Sequence, residues 1–222
     1  MAGVDKLCYP SEFNPRPAIL GEAYGVHIWA ALLALLAIRL LGGRHWLTWG
    51  GLNFQHTDRS LLSLLHFCLL YGAAALVLQP LNFLLQPDTC TYGLQLVPSV
   101  VSFFVVASWV IIGLTEEIVF QGLFHSFLRR YWPEVLCWHG LYLPMAGVWT
   151  ALLFALSHMQ LSIAPLCIVQ VYPMQLISAF VLGLHFSAIY FRTGSLLHPI
   201  LAHSFADGIV ITVLYVVMRW WS

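Results

Sequence analysis

Charge is what this chain has least of. Nine acidic and nine basic residues are spread over 222 positions, 8% of the total, and they cancel to a net charge of zero. A chain so sparsely charged has no basic patch with which to hold a nucleic acid or another polyanion, which excludes those partners. Cysteine offers little more: Cys8, Cys68, Cys90, Cys137 and Cys167 are scattered, with no Cys-x-x-Cys pair. That excludes a disulfide framework and a thiolate zinc site, and leaves these residues as packing groups. No repeat, low-complexity tract or polar linker divides the chain, so residues 1–222 read as a single integral membrane domain.

What is present is apolar. Sixty per cent hydrophobic residues and a mean hydropathy of +0.84 place the chain among polytopic membrane proteins. A span needs roughly 20 apolar residues, and such runs lie near 24–43, 61–85, 95–128, 141–158, 163–191 and 196–220. The expected fold is therefore all-α, a polytopic transmembrane helical bundle of about six to eight membrane segments. The runs 95–128 and 163–191 are too long for one upright helix. Each predicts a tilt, a break or a re-entrant turn, with Pro165 and Pro173 as break points in the second. Residues 1–24 are mixed polar and carry Pro10, Pro15 and Pro17, unlike a cleavable signal peptide, so the first apolar run reads as a retained span. If the spans alternate, Arg39, Arg44, Arg59, Arg129, Arg130 and Arg192 fall on one side, and Lys6, Arg16 and Arg219 on the other. The positive-inside rule assigns the first group to the cytoplasm and puts both termini outside.

Against this background two adjacent carboxylates stand out, Glu116 and Glu117, in the run Val105-Val-Ala-Ser-Trp-Val-Ile-Ile-Gly-Leu-Thr-Glu-Glu-Ile-Val-Phe-Gln121. One ionised carboxylate at bilayer depth costs about 2.5–3.5 kcal/mol on insertion scales, and a second beside it adds like-charge repulsion. Of the nine acidic residues only Glu116, Glu117 and Asp207 lie within apolar runs. Three patterns on different predicted helices gather the candidates: Glu116-Glu117-Ile-Val-Phe-Gln121, Phe154-Ala-Leu-Ser-His158 and His203-Ser-Phe-Ala-Asp207. The four-residue spacings Glu117/Gln121, Phe154/His158 and His203/Asp207 each put both members on one helix face. Converging in a bundle, two imidazoles, two glutamates and an aspartate can activate a water by general base catalysis and stabilise an oxyanion. The other histidines read more plainly. His45, His56 and His139 suit loops, and His198, followed by Pro199, suits a helix start. His27, His66, His125 and His185 lack an acidic partner at helical spacing and read as interhelical hydrogen bonders. The nine tryptophans, Trp220 and Trp221 among them, suit interfacial anchoring.

The order Glu-Glu in an apolar helix, then Phe-x-x-x-His, then His-x-x-x-Asp resembles the CAAX prenyl endopeptidase and bacteriocin-processing family, the glutamic intramembrane proteases also called Abi proteins. Leu114-Thr-Glu-Glu-Ile-Val-Phe-Gln-Gly122 is similar to that family's first helix motif, and Gly183-Leu-His-Phe-Ser-Ala-Ile-Tyr-Phe-Arg-Thr-Gly-Ser195 to its approach to the last. The resemblance covers a core of about residues 105–212. It implies that Glu116 and His158 position and activate the attacking water, that His203 and Asp207 line the oxyanion site, and that Glu117 is the supporting carboxylate. Gln121 stands where the family usually has arginine, and Phe154 supports His158. An amide cannot ion-pair with Glu117, although it can donate a hydrogen bond to it. Asp207 as an anion cannot donate to an oxyanion, and so must be protonated or orient His203.

The function that follows is a membrane-embedded endopeptidase. Its partners are the lipid bilayer and a peptide or protein substrate, membrane-anchored or not, and no nucleic acid. No cofactor is expected. Zinc on Glu116, His158 and His203 is the metal alternative, since two histidines and a glutamate are a known ligand set, but the chain lacks His-Glu-x-x-His. A non-catalytic binding or immunity protein that kept the protease fold, or a transporter with a proton relay, are the other readings. The compact size and short loops suit a prokaryotic inner membrane.

Overall fold

A computed structural model of the chain describes residues 17–53, 57–85, 105–138, 141–163 and 166–221. Helices dominate: α1 (Pro17–Gly42), the four-residue α2 (Trp46–Trp49), α3 (Thr57–Leu85), α4 (Val105–Leu128), α5 (Met145–Ser157), α6 (Pro173–Thr193) and α7 (Leu197–Trp221). Two small antiparallel hairpins interrupt them, β1 (Val135–Trp138) with β2 (Leu141–Pro144) and β3 (Gln160–Ile163) with β4 (Leu166–Gln170). Five helical stretches, Gly25–Trp49, Leu61–Leu78, Val105–Leu128, Pro173–Thr193 and Leu197–Val217, are long and apolar enough to cross a membrane. This is an integral membrane protein with a mostly helical fold.

Two expected boundaries move. The fourth run, 141–158, is not one helix: its first four residues pair as β2, and α5 has only 13 residues. At 1.5 Å per residue α5 rises about 20 Å, short of the roughly 30 Å hydrocarbon core. The fifth run, 163–191, breaks as its prolines predict. Residues 166–170 form a strand, and Pro173 sits in the first turn of α6, where its missing N–H costs nothing. Pro165 lies outside the described residues, as does much of the first half of the 95–128 run.

Helix directions follow from what the small residues touch. A β-carbon added at Gly147 would meet Ser187, and one at Gly183 would meet Ala151, so α5 and α6 pack antiparallel. Gly113 abuts Ser204 and Gly208 abuts Trp109, so α4 and α7 are antiparallel too. Gly122 of α4 meets Ile38 of α1 while Glu116 faces His27, which makes α1 and α4 parallel. Gly72 of α3 lies under Phe205, and Leu64 clusters with Ala202, so α3 runs parallel to α7. Directions therefore alternate through α1, α3 and α4, α7 runs opposite to α4, and α6 runs opposite to α5. Lipid is as apolar as leucine and gives helices no reason to associate by themselves, so close approach at small residues must supply the dispersion contacts. Large side chains such as Leu33, Leu40, Leu69, Leu70 and Met174 point outward instead.

One rim is tied together by the turn between α6 and α7. Gly194 closes α6 with φ +64°, and its N–H bonds the Tyr190 carbonyl at 2.7 Å. The Ser195 hydroxyl bonds the carbonyl of Asn53, the Asn53 amide bonds the Gly194 carbonyl at 2.9 Å, and the Leu196 N–H bonds the Gly51 carbonyl at 2.8 Å. Gly51 (φ +69°) has Tyr190 where a β-carbon would be. Arg130 bonds the Leu41 carbonyl at 3.1 Å and covers the Trp49 ring, and Arg129 covers Phe191. This basic rim is the one that the positive-inside count assigns to the cytoplasm.

The α5–α6 contact is directly testable. In Gly147→Val the β-carbon would stand 2.8 Å from that of Ser187, and overpacking of this kind costs about 1–3 kcal/mol. Thermal unfolding in detergent should show a clearly lower midpoint, whereas Leu153→Val, on the exposed face of α5, should leave it nearly unchanged.

Candidate active site

The polar residues meet where α1, α4, α5 and α7 come together. Successive residues on a helix point about 100° apart, so Glu116 and Glu117 can both turn inward only if α4 has neighbours on two sides. It does: α1 faces Glu116 and α7 faces both. The pair ends a short α-helical stretch, Gly113–Glu117, set between two wide π-wound stretches, Ser108–Ile112 and Ile118–His125. Such winding inside a helix often accompanies function.

His203 is the hub. Its Nδ1 hydrogen-bonds Glu117 Oε1 at 2.8 Å, while its Nε2 stands 3.6 Å from Glu116 Oε2 and 3.4 Å from Asp207 Oδ2. Both ring nitrogens thus face carboxylate oxygens, an arrangement suited to a doubly protonated ring. Phe186 stacks on the ring at 4.9 Å between centroids, and the edge of Phe154 meets it at 5.4 Å. His203 and Glu117 are buried, Glu116 is 15% exposed and Asp207 33%. The cluster is therefore most exposed on the Asp207 side and closed on the Glu117 side.

His158 comes from the short helix. Because α5 stops after 13 residues, its C-terminal end reaches this depth, with Phe154 against Phe120 at 5.0 Å and against His203. His158 Nδ1 lies 2.8 Å from the Phe154 carbonyl and its ring packs on the Phe154 ring at 4.7 Å. A carbonyl only accepts, so Nδ1 carries a proton, and in the neutral ring the lone pair is on Nε2. Phe154 stands between the two imidazoles and separates them with an apolar ring.

Three readings gain detail from the geometry. Asp207, expected to be protonated or to orient His203, faces Nε2 of that ring, and the carboxylate that holds Nδ1 is that of Glu117. Gln121 does not turn to Glu117: its Oε1 accepts from Ser187 Oγ at 3.0 Å and faces His125 Nδ1 at 2.9 Å. The four-residue spacing assumes ordinary α-helical turns, and the π winding over Ile118–His125 shifts that register. Glu117 Oε2 has no hydrogen-bond partner among the described residues, and Arg129, exposed at the rim, does not supply one. Finally, His27 makes an interhelical contact, as a membrane histidine is expected to, and makes it with a carboxylate of the cluster. Its Nδ1 stands 3.4 Å from Glu116 Oε1. Helical spacing within α1 could not reveal this partner, because it lies on α4. The available signal was its place four residues before Ala31 on the stripe Ala31, Ala34, Ile38, all buried.

His198 occupies the second position of α7, as a helix opener should. Cys68 and Cys137 are free thiols. Among the described residues no set of three or more histidine, cysteine, aspartate or glutamate side chains is arranged to hold a metal ion.

Residues 98–209 match the family model described as Type II CAAX prenyl endopeptidase Rce1-like. The match spans all three motifs, Glu116 to Gln121, Phe154 to His158 and His203 to Asp207, and excludes α1. No curated protein and no solved structure matches the chain. The matched segment covers half of the 222 residues and contains the carboxylate pair buried against His203, and the chain belongs to the Type II CAAX prenyl endopeptidase Rce1-like family.

Proposed function

We propose that this protein is an intramembrane endopeptidase that hydrolyses a peptide bond with a water activated by Glu116 and His158. The observation that carries the reading is the His203 ring, buried in an apolar bundle with a carboxylate on each nitrogen. So many ionisable groups at membrane depth are costly unless used. In this scheme a water between Glu116 and His158 gives its proton to one of them as its oxygen attacks the scissile carbonyl carbon. The carbonyl π electrons move to oxygen, and the oxyanion receives a hydrogen bond from His203 Nε2–H. That N–H is poorly engaged at 3.4 and 3.6 Å from its two carboxylates, which leaves it available to a better acceptor. Collapse of the intermediate expels the amine, which takes the proton held by the base. Glu117 keeps the ring in place through Nδ1. Family membership supports a peptide substrate near the bilayer.

Gln121 favours a second reading, a non-catalytic membrane binding or immunity protein that retains the protease fold. Against it, the Gln121 amide has work of its own in tying Ser187 and His125 to α4. Gln121→Leu leaves the hydrogen-bond donors of Ser187 and His125 without that acceptor and should lower stability by about 1–3 kcal/mol, measured by unfolding in detergent. Gln121→Arg should fold and remain active, because a guanidinium can reach the unpartnered oxygen of Glu117; its loss from the membrane would show that the Ser187–His125 arrangement outweighs that gain.

Cleavage of a natural peptide by the purified protein in liposomes tests the roles. Glu116→Ala and His158→Ala should lose about 10²–10⁴-fold in kcat, the usual size of a base contribution. His203→Ala should lose about 10²–10³-fold, as for an oxyanion donor. Asp207→Asn should keep most of its activity, since the amide can donate where the carboxylate cannot. EDTA should have no effect; inhibition by EDTA with recovery on added zinc would replace this mechanism with a metal one. Wild-type rates in Glu116→Ala would remove Glu116 from the chemistry.

A further inference from the structure

We infer that His27 of α1 belongs to this active site as a positioning residue, holding the carboxylate of Glu116 in the orientation it needs to act as base. The inference rests on the catalytic reading of Glu116 above, and it concerns a helix that the family match does not include.

Glu116 divides its two oxygens between two imidazoles. Oε2 faces His203 Nε2 at 3.6 Å and Oε1 faces His27 Nδ1 at 3.4 Å. Without His27 the carboxylate would be approached from the α7 side alone and would be free to turn away from it. Both distances are long for a hydrogen bond, and contacts of this kind commonly tighten when substrate fills the site. The placement of His27 follows from packing. Ala31, Ala34 and Ile38 form the buried stripe of α1, clustered with Ile118 of α4 and with Tyr190 and Leu196. Ile38 reaches the Gly122 position. Residue 27 continues that stripe one turn toward the N-terminus of α1, so the contact that locks α1 to α4 also carries the imidazole to the depth of Glu116.

The need for donors makes a second argument. Glu116, Glu117 and Asp207 put three carboxylates around one ring, His203. Arg39, Arg44, Arg129, Arg130 and Arg192 are exposed side chains at helix ends. His27 is the second imidazole against the cluster, with its Nδ1 3.4 Å from Glu116 Oε1. A side chain placed only for packing would not need to be a donor here. Leucine would continue the stripe equally well.

Two measurements test this. In protein labelled with nitrogen-15 histidine, Glu116→Gln should move the ring signals of His27, identified by their disappearance in His27→Ala. Unmoved signals would overturn the contact, with or without a substrate in hand. In cleavage assays His27→Ala should lose about 10–100-fold in kcat, as expected for a misplaced catalytic group, with KM little changed. His27→Gln, which keeps a donor, should retain clearly more activity than His27→Ala. Free imidazole should restore part of the alanine variant's rate, since the His27 side chain is 37% exposed. Wild-type turnover by His27→Ala would overturn the inference, and so would equal losses in the alanine and glutamine variants that imidazole does not relieve. If the wild type cleaves nothing while the His27 signals do move, the contact stands and the proteolytic reading fails instead.

Discussion

The hydrogen bond between His203 Nδ1 and Glu117 Oε1 is the constraint on which the rest of this structure depends. It is 2.8 Å long, and both partners are almost completely buried. In water such a pair contributes little. Inside an apolar bundle, removing one partner leaves the other uncompensated, at a cost of about 3–5 kcal/mol. That asymmetry fixes α4 and α7 in one relative register. It also sets where the remaining polar groups can stand: once Nδ1 is committed to Glu117, Nε2 is left facing Glu116 and Asp207. Phe186 on one face of the ring and the edge of Phe154 prevent it from turning.

Holding that register requires helices to come closer than large side chains allow. Gly113 against Ser204 and Gly208 against Trp109 bring α7 onto α4, while Gly147 and Gly183 seat α5 on α6. The brevity of α5 is part of the same arrangement. With 13 residues, α5 ends where Phe154 packs between contacts to His158 and His203. Packing and site are thus one problem: the small residues that let the helices associate also determine the depth at which the imidazoles meet the glutamates.

Much of this was legible in the sequence, for physical reasons. Ionisable residues are so expensive in apolar helices that Glu116, Glu117 and Asp207 announce themselves by composition alone. Four-residue spacing joined Phe154 to His158 and His203 to Asp207, since α-helical periodicity holds in α5 and α7. It misled at Gln121, because α4 changes its winding between Ile118 and His125. The late start of the helix in the fourth run was hidden for a similar reason: Leu141 to Pro144 are apolar enough to read as helix but pair as a strand. His27 was passed over because its partner is distant in sequence, and periodicity on one helix carries no information about which other helix faces it. The role of Glu117 rather than Asp207 at Nδ1 likewise depends on helix register, which no motif spacing specifies.

The central claim is that these buried carboxylates exist to cut a peptide. Mass spectrometry of membrane and secreted peptides tests it with no substrate chosen beforehand. Cells making the wild type are compared with cells making an equal membrane amount of Glu116→Gln, in which an NH2 group replaces one carboxylate oxygen. The account predicts at least one precursor that remains uncut in the variant and is matched by shorter products in the wild type. Identical peptide profiles at equal protein abundance would contradict it.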